Sequence, residues 1–245
     1  AVVIVHLYGF AVDVKKFKKL KKNLIIIEDC AQAFGAQIDN LKVGTLGDFS
    51  CFSFHAQKNM TTLGEGGAIY VKDDKLANKV PGLRHNGHCS YSTNRKFYWR
   101  PAMGNLDMDL KNIWPYKFTL SEIQCATGYL LIKRINKLNK KRINRAKKFM
   151  SELDNSLFDF NKNFKNFRHV YHLLSAYVEP SKKLNNHKII DILHRKYGIK
   201  CAVQYYPLYK YPLFMKMGYG QAKCPITEKF YNNMISFPFH EWMKE

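Results

Sequence analysis

Two short stretches carry side chains capable of chemistry at the places where open sheets meet their ligands. Leu24-Ile25-Ile26-Ile27 reads as a strand and runs into Glu28-Asp29. Ligands of open α/β sheets gather at the carboxyl ends of strands, so an acid there can meet one. A lone Asp in that position is more commonly a helix cap, and it draws its weight from a second stretch. After the next strand, Ser53-Phe54-His55-Ala56-Gln57-Lys58-Asn59 runs into Leu63-Gly64-Glu65-Gly66-Gly67. A hydroxyl, an imidazole and an amine thus precede a turn whose glycines allow close passage, with positive φ expected at Gly64, Gly66 and Gly67. Read singly, Lys58 would be a solvated lysine, Ser53 a strand-end cap and Gln32 an ordinary first-turn residue.

The elements that must position these residues follow from periodicity. Ala1 to Val5 is apolar and mostly β-branched, Asp13 to Lys22 carries helix signals, and Leu24 to Ile27 is a second apolar run. Strand, helix, strand with no polar alternation predicts a parallel sheet in an α/β domain. Further strands are expected over Phe49 to Phe54 and Ala68 to Val71, and a capped helix over Asp73 to Arg84. One long amphipathic helix is expected from Leu120 through Ile123, Leu130, Leu131, Ile135, Leu138 and Ile143 to Leu153. Beyond it, strands at His172 to Val178 and Cys201 to Tyr206 flank a helix at Asn186 to Tyr197, which suggests a smaller α/β domain. The division expected is 1–150 for the large domain with its connecting helix and 151–245 for the small one.

Composition narrows the classes. With 245 residues, 46% of them apolar, the chain can bury a substantial core. Every apolar stretch is interrupted by Asp or Lys before it reaches membrane-spanning length, and the expectation is a soluble, cytoplasmic protein. The six cysteines show no CxxC pair and the histidines no HxxxH spacing, so free thiols and no metal site are expected. The formal charge of +21 comes from 40 Lys and Arg against 19 Asp and Glu. The lysine runs at 15–22 and 137–142 interleave with apolar residues at helical spacing and read as solvated helix faces. No nucleic acid and no membrane partner are expected.

Four segments together are distinctive: Glu28-Asp29-Cys30-Ala31-Gln32-Ala33-Phe34-Gly35-Ala36, Val43-Gly44-Thr45-Leu46-Gly47-Asp48, Ser53 to Asn59, and Thr61-Thr62-Leu63-Gly64-Glu65-Gly66-Gly67. In order and separation they resemble the DegT/DnrJ/EryC1/StrS family of pyridoxal-phosphate-dependent sugar aminotransferases. His6-Leu7-Tyr8-Gly9, Arg84-His85-Asn86-Gly87, Ser121-Glu122-Ile123-Gln124, Tyr171-His172-Leu173, Tyr206-Pro207-Leu208 and Ser236 to His240 extend the resemblance across nearly the whole chain. It implies an α/β fold of the aspartate-aminotransferase type, a large domain incomplete at its N-terminus followed by a small C-terminal domain.

The resemblance also implies roles. Lys58 would form the Schiff base with the aldehyde of pyridoxal 5'-phosphate and then shuttle a proton, which requires its neutral amine. Asp29 would keep the pyridinium nitrogen protonated. Gln32 would lie against the ring or its phenolic oxygen, Ser53 would donate to the phosphate, and His55 would shape the lysine loop. Where the family carries an asparagine that reaches the partner subunit's cofactor phosphate, this chain has Lys117, within Pro115-Tyr116-Lys117-Phe118-Thr119. A homodimer with shared sites follows, with an amino acid, glutamate foremost, as donor and a keto-sugar or nucleotide-linked keto-sugar as acceptor. The aromatic segment Phe97 to Asn105 is expected to line the substrate pocket. The family's upstream phosphate-binding helix has no counterpart before His6, which makes a truncated non-catalytic paralogue one alternative. A sugar dehydratase is the other, and Lys58 stands against it because that branch carries histidine there.

Overall fold

The computed structural model describes residues 1–88, 114–154, 156–160, 165–179 and 184–243. The chain forms two compact units, the first made of 1–7, 12–34 and 40–135, the second of 8–11, 35–39 and 136–245.

The first unit is built on a four-stranded sheet of β1 (Val2–Val5), β2 (Ile26–Asp29), β3 (Phe49–Ser53) and β4 (Gly67–Val71), hydrogen-bonded in that order. The first three strands are parallel, as the unbroken apolar runs predict, and β4 returns antiparallel. The register sets Asp29 between Val5 and Cys51, and Ser53 opposite Gly67. Strand β2 starts two residues later than expected and takes Glu28 and Asp29 into its own ladder. The Leu24 amide still turns back on the Lys21 carbonyl at 3.2 Å, and Asp48 holds the first strand residue, its Oδ2 accepting the Ile26 amide and its own amide donating to the Ile26 carbonyl, each at 2.8 Å.

Helix α1 (Val14–Lys18) is capped by Asp13, whose Oδ1 accepts the Lys15 amide at 3.0 Å. Val14 and Phe17 pack against Ile4 and Ile26. The helix ends short of the predicted Lys22 because Leu20, the next apolar residue, finds no core to enter and stays exposed. The single helix expected over Asp73 to Arg84 is two, α2 (Asp74–Ala77), capped by Asp73, and α3 (Val80–Arg84). Pro81 accounts for the division, since it fits the first turn of a helix and not its interior. The long helix expected from Leu120 to Leu153 is likewise divided into α4 (Glu122–Ile132) and α5 (Ile135–Glu152). The amides of Lys133 and Arg134 both turn back on the Leu131 carbonyl at the break.

The second unit takes α5 from Asn136 onward and an antiparallel sheet in which β6 (Leu174–Val178) lies between β5 (Phe158–Phe160) and β7 (Met234–Phe237). Helix α6 (Asn186–Tyr197) matches its predicted bounds, with Asn185 capping its start and Gly198, at φ 67°, ending it. Phe158, Ala176, Val178, Ile189, Ile235 and Phe237 form its core. Helix α5 sets Ala146 against Tyr171 and Leu174 and buries Arg142. The Arg142 guanidinium donates to the carbonyls of Tyr171 and His172 and meets the Glu241 carboxylate at 2.6 Å. The strand expected over Cys201 to Tyr206 reduces to one bridge, Ala202 with Ser236. The amide of Gln204, two residues on, is drawn instead to Met234 Sδ at 3.1 Å.

At the carboxyl end of the first unit's sheet sits a fully buried carboxylate. Glu28 Oε1 accepts the amides of Leu46 (2.8 Å) and Gly47 (2.5 Å), and Oε2 accepts the Gly44 amide at 2.8 Å and His6 Nε2 at 3.0 Å. His6 Nδ1 accepts the Val12 amide, so the imidazole proton is on Nε2 and donates to Glu28. Burial works against ionisation, but the bonds from His6, Gly44, Gly47 and Leu46 outweigh it and hold the carboxyl below the usual glutamate range. Glu28→Gln would set an amide NH2 against donors and is expected to cost about 2–4 kcal/mol near pH 7, read by urea denaturation. Because the folded pKa is lowered, this advantage is present above the ordinary value of 4.5 and fades as pH falls through the folded one, so the two stability curves converge in acid.

Candidate active site

The register of the parallel strands sets the site. Asp29 is the last residue of β2 and Ser53 the last of β3, so both stand at the carboxyl edge of adjacent strands. Asp29 alternates with Glu28 along β2, and the two acids therefore face opposite sides of the sheet. Glu28 is enclosed, while Asp29 is half-buried and its Oδ1 accepts the Ala31 amide at 3.0 Å. Gln32 follows in a turn closed by the Ala33 amide on the Cys30 carbonyl, not in the helix expected there, and it too is half-buried.

Lys58 lies on the loop that joins β3 to β4. The strand pairing continues beyond Ser53 through the bonds Phe54 N to Gly66 O and Ala56 N to Gly64 O, each 2.7 Å. The chain then turns, with the Lys58 amide on the His55 carbonyl at 2.9 Å, and comes back with the Thr62 amide on the Phe54 carbonyl at 3.0 Å. Lys58 is thereby half-buried in a hydrogen-bonded loop that starts at the sheet's carboxyl edge. Ser53 Oγ accepts the His55 amide at 3.3 Å. His55 Nδ1 accepts the Gln57 amide, which leaves Nε2 facing the Glu65 carboxylate at 3.6 Å. The imidazole thus takes one hydrogen bond from within the lysine loop and lies beside the carboxylate of its return.

The glycines divide in their reasons. Gly64 alone of the three has a positive φ, +142°, with Leu63 before it at +62°. Gly66 and Gly67 are required by close approach instead: a Cβ at Gly66 would strike Thr62 Oγ1, and one at Gly67 would stand 2.7 Å from the Phe52 carbonyl oxygen.

Lys117 is at a different place in the unit. Its backbone bridges antiparallel to His85, with the Asn86 amide on Tyr116 O and the Phe118 amide on Arg84 O, and its side chain is exposed. A cavity of 410 Å³ opens nearby, lined by Phe52, Ala68, Leu83, Tyr116 and Phe118, with Arg84 its charged member. None of Asp29, Ser53, His55 or Lys58 lines it. The segment Phe97 to Asn105 lies outside the described residues.

Sequence reasoning assigned no role to Glu28 or His6. The available signal was the pair of glycines at 44 and 47, whose amides need an acceptor when no side chain intervenes. His6, Glu28 and Cys30 bring ligand-type atoms within 4.8 Å of one another, but the two Glu28 oxygens already hold four donors. Burial, reinforced by the charges of Glu28 and Asp29, pushes the Cys30 thiol above its usual range. The cluster is held by its own hydrogen bonds and protons.

A family model described as the DegT/DnrJ/EryC1/StrS aminotransferase family matches residues 1–245. The chain belongs to that family. It is 29% identical to a UDP-N-acetyl-3-dehydro-alpha-D-glucosamine 3-aminotransferase of Acidithiobacillus ferrooxidans, over 100% of this chain and 60% of that protein. To a GDP-perosamine synthase of Vibrio cholerae it is 27% identical, over 97% of this chain and 60% of that protein. Among solved structures, Helicobacter pylori PseC, an aminotransferase involved in the biosynthesis of pseudoaminic acid, superposes with a TM-score of 0.82 at 30% identity. That match covers 100% of this chain and 62% of PseC. The chain thus spans about three fifths of the length of these relatives. Its fold is that of the family's pyridoxal-phosphate-dependent sugar aminotransferases, as the motifs implied.

Gly67→Ala tests the close approach of the loop's return. The atom it would strike belongs to a neighbouring strand's backbone and cannot rotate away, so a loss of about 1–3 kcal/mol is expected in urea denaturation.

Proposed function

We propose that this protein is a pyridoxal-phosphate-dependent aminotransferase that moves an amino group from an amino acid, glutamate foremost, to a keto-sugar or nucleotide-linked keto-sugar. The observation that carries this reading is the placement of Asp29 and Ser53 at adjacent strand ends with Lys58 on the braced loop that follows. Pyridoxal phosphate, when bound, supplies an electron sink for the charge that develops beside the amino nitrogen. Family membership and the sugar aminotransferases among its relatives support the same chemistry.

Each residue has a part in this reading. Lys58 would hold the cofactor at its aldehyde end, and its amine would carry a proton to and from the substrate carbon. Asp29 keeps the ring nitrogen protonated from the sheet edge. Gln32 lies beside the ring, Ser53 donates to the phosphate, and His55 holds the loop through Glu65. Lys117 reaches the phosphate of a partner subunit in a cytoplasmic homodimer. Its exposure beside Phe118, itself 72% exposed, supports that placement, as does α4, where Ile123 and Leu130 are 76% and 62% exposed. Among the described residues no helix is long and apolar enough to cross a membrane. The proposed division is a cofactor-binding large domain over 1–150 and a small domain over 151–245.

After loading with pyridoxal phosphate and removal of the unbound excess by gel filtration, the purified protein is expected to show a visible absorbance band that Lys58→Ala abolishes. A colourless wild type, or a band that survives the substitution, overturns the proposal. Asp29→Asn should keep the band and lower the rate of amino transfer from glutamate by roughly 10²-fold or more, measured by mass spectrometry of the aminated sugar. Leu130→Asp should shift the sedimentation coefficient from dimer to monomer, and a monomeric wild type would remove Lys117 from the site.

A further inference from the structure

Helix α4 starts directly beside the lysine loop. Ser121 caps it, and Gln124 completes a reciprocal capping box: Gln124 Oε1 accepts the Ser121 amide at 3.2 Å and the Ser121 hydroxyl at 2.9 Å. The other end of the same amide, Nε2, donates to the Glu65 carbonyl at 2.7 Å. The partners fix the orientation, because only an oxygen can face two donors and only an NH2 can face a carbonyl. One turn later, a Cβ at Gly128 would be 3.0 Å from Thr62 Cγ2, so the helix also lies closely against the loop's return.

Glu65 joins these contacts to the lysine. Its carbonyl receives both Gln124 Nε2 and Thr62 Oγ1, and its carboxylate faces His55, whose own carbonyl accepts the Lys58 amide. We propose that Gln124 is a positioning residue for Lys58, a pin that locks the 54–66 loop to the start of α4 and so sets where the amine stands. The proposal rests on the functional reading above, in which Lys58 holds the cofactor. Displacements of about 1 Å at such a group are enough to cost two orders of magnitude in rate, so a single well-placed bond outside the site is worth having.

Two substitutions separate the pin from the cap. Gln124→Glu keeps an acceptor for the Ser121 amide and hydroxyl but has no donor for the Glu65 carbonyl. Ser121→Ala removes the hydroxyl cap and leaves Nε2 in place. Hydrogen exchange across peptides 54–66, measured without cofactor, should run about five- to tenfold faster in Gln124→Glu. With cofactor, the pH midpoint of the absorbance band should move in the same variant. In Ser121→Ala the start of α4 should exchange faster, while the loop and the band keep their wild-type behaviour. Wild-type exchange and an unmoved band in Gln124→Glu would overturn the proposal. So would Ser121→Ala matching Gln124→Glu, since the effect would then come from the helix end alone. A wild-type protein with no band at all overturns the functional reading, and the exchange comparison by itself then decides whether Gln124 pins the loop.

Discussion

The carboxylate of Glu28 is the interaction on which the first unit's site depends. It lies fully buried at the end of the central parallel strand and gathers three backbone amides from the 44–47 turn together with the His6 imidazole. An ionised group in that position is costly unless every lone pair has a donor, and here the donors come from two different segments. The turn that carries Gly44 and Gly47, the end of β1 and the end of β2 are therefore fixed relative to one another by one side chain. Asp29, the next residue, inherits that rigidity on the opposite side of the strand. The carboxyl edge of the sheet thus takes its rigidity from Glu28 and presents Asp29, the acid proposed to meet the cofactor.

Glycine is the companion of this arrangement. Gly44 holds φ at +87° against the ring of Phe52, and Gly47 leaves no room for a Cβ between the Ile26 carbonyl and the Glu28 side chain. Both positions let backbone amides reach a carboxylate that side chains would otherwise screen. The same economy recurs at Gly66 and Gly67, where close approach and not torsion demands the residue. The lysine loop can therefore be tight without being strained throughout.

Much of the first unit was legible because its strands are unbroken apolar runs and its motifs are contiguous. The parallel order of β1, β2 and β3 follows from local pattern, as do the bounds of α6 in the second unit. What escaped was set by contacts distant in sequence. The first residue of β2 is held by Asp48, twenty-two residues from the amide it accepts. The division between α4 and α5 is invisible to periodicity, since apolar residues continue across Lys133 and Arg134 and only their amides show the turn. Residues 201–206 have the composition of a strand, but only the Ala202–Ser236 bridge forms there. Glu28 and His6 were unreadable as a pair because a motif assigns meaning to neighbours, and the direct bond between these two forms only once β1 has paired with β2.

The Arg142 guanidinium gives the second unit a property of a different kind. Burial lowers its affinity for its proton, and the Glu241 carboxylate restores part of it. Arg145 adds a bond to the Glu241 backbone carbonyl, so the segment around residue 241 is held by two cations from one helix. That segment is consequently tied to α5 by charge. A protease that cut ahead of it, or a fusion joint placed there, would strip a buried cation of its counter-charge and loosen the packing of α5 from a position far along the chain.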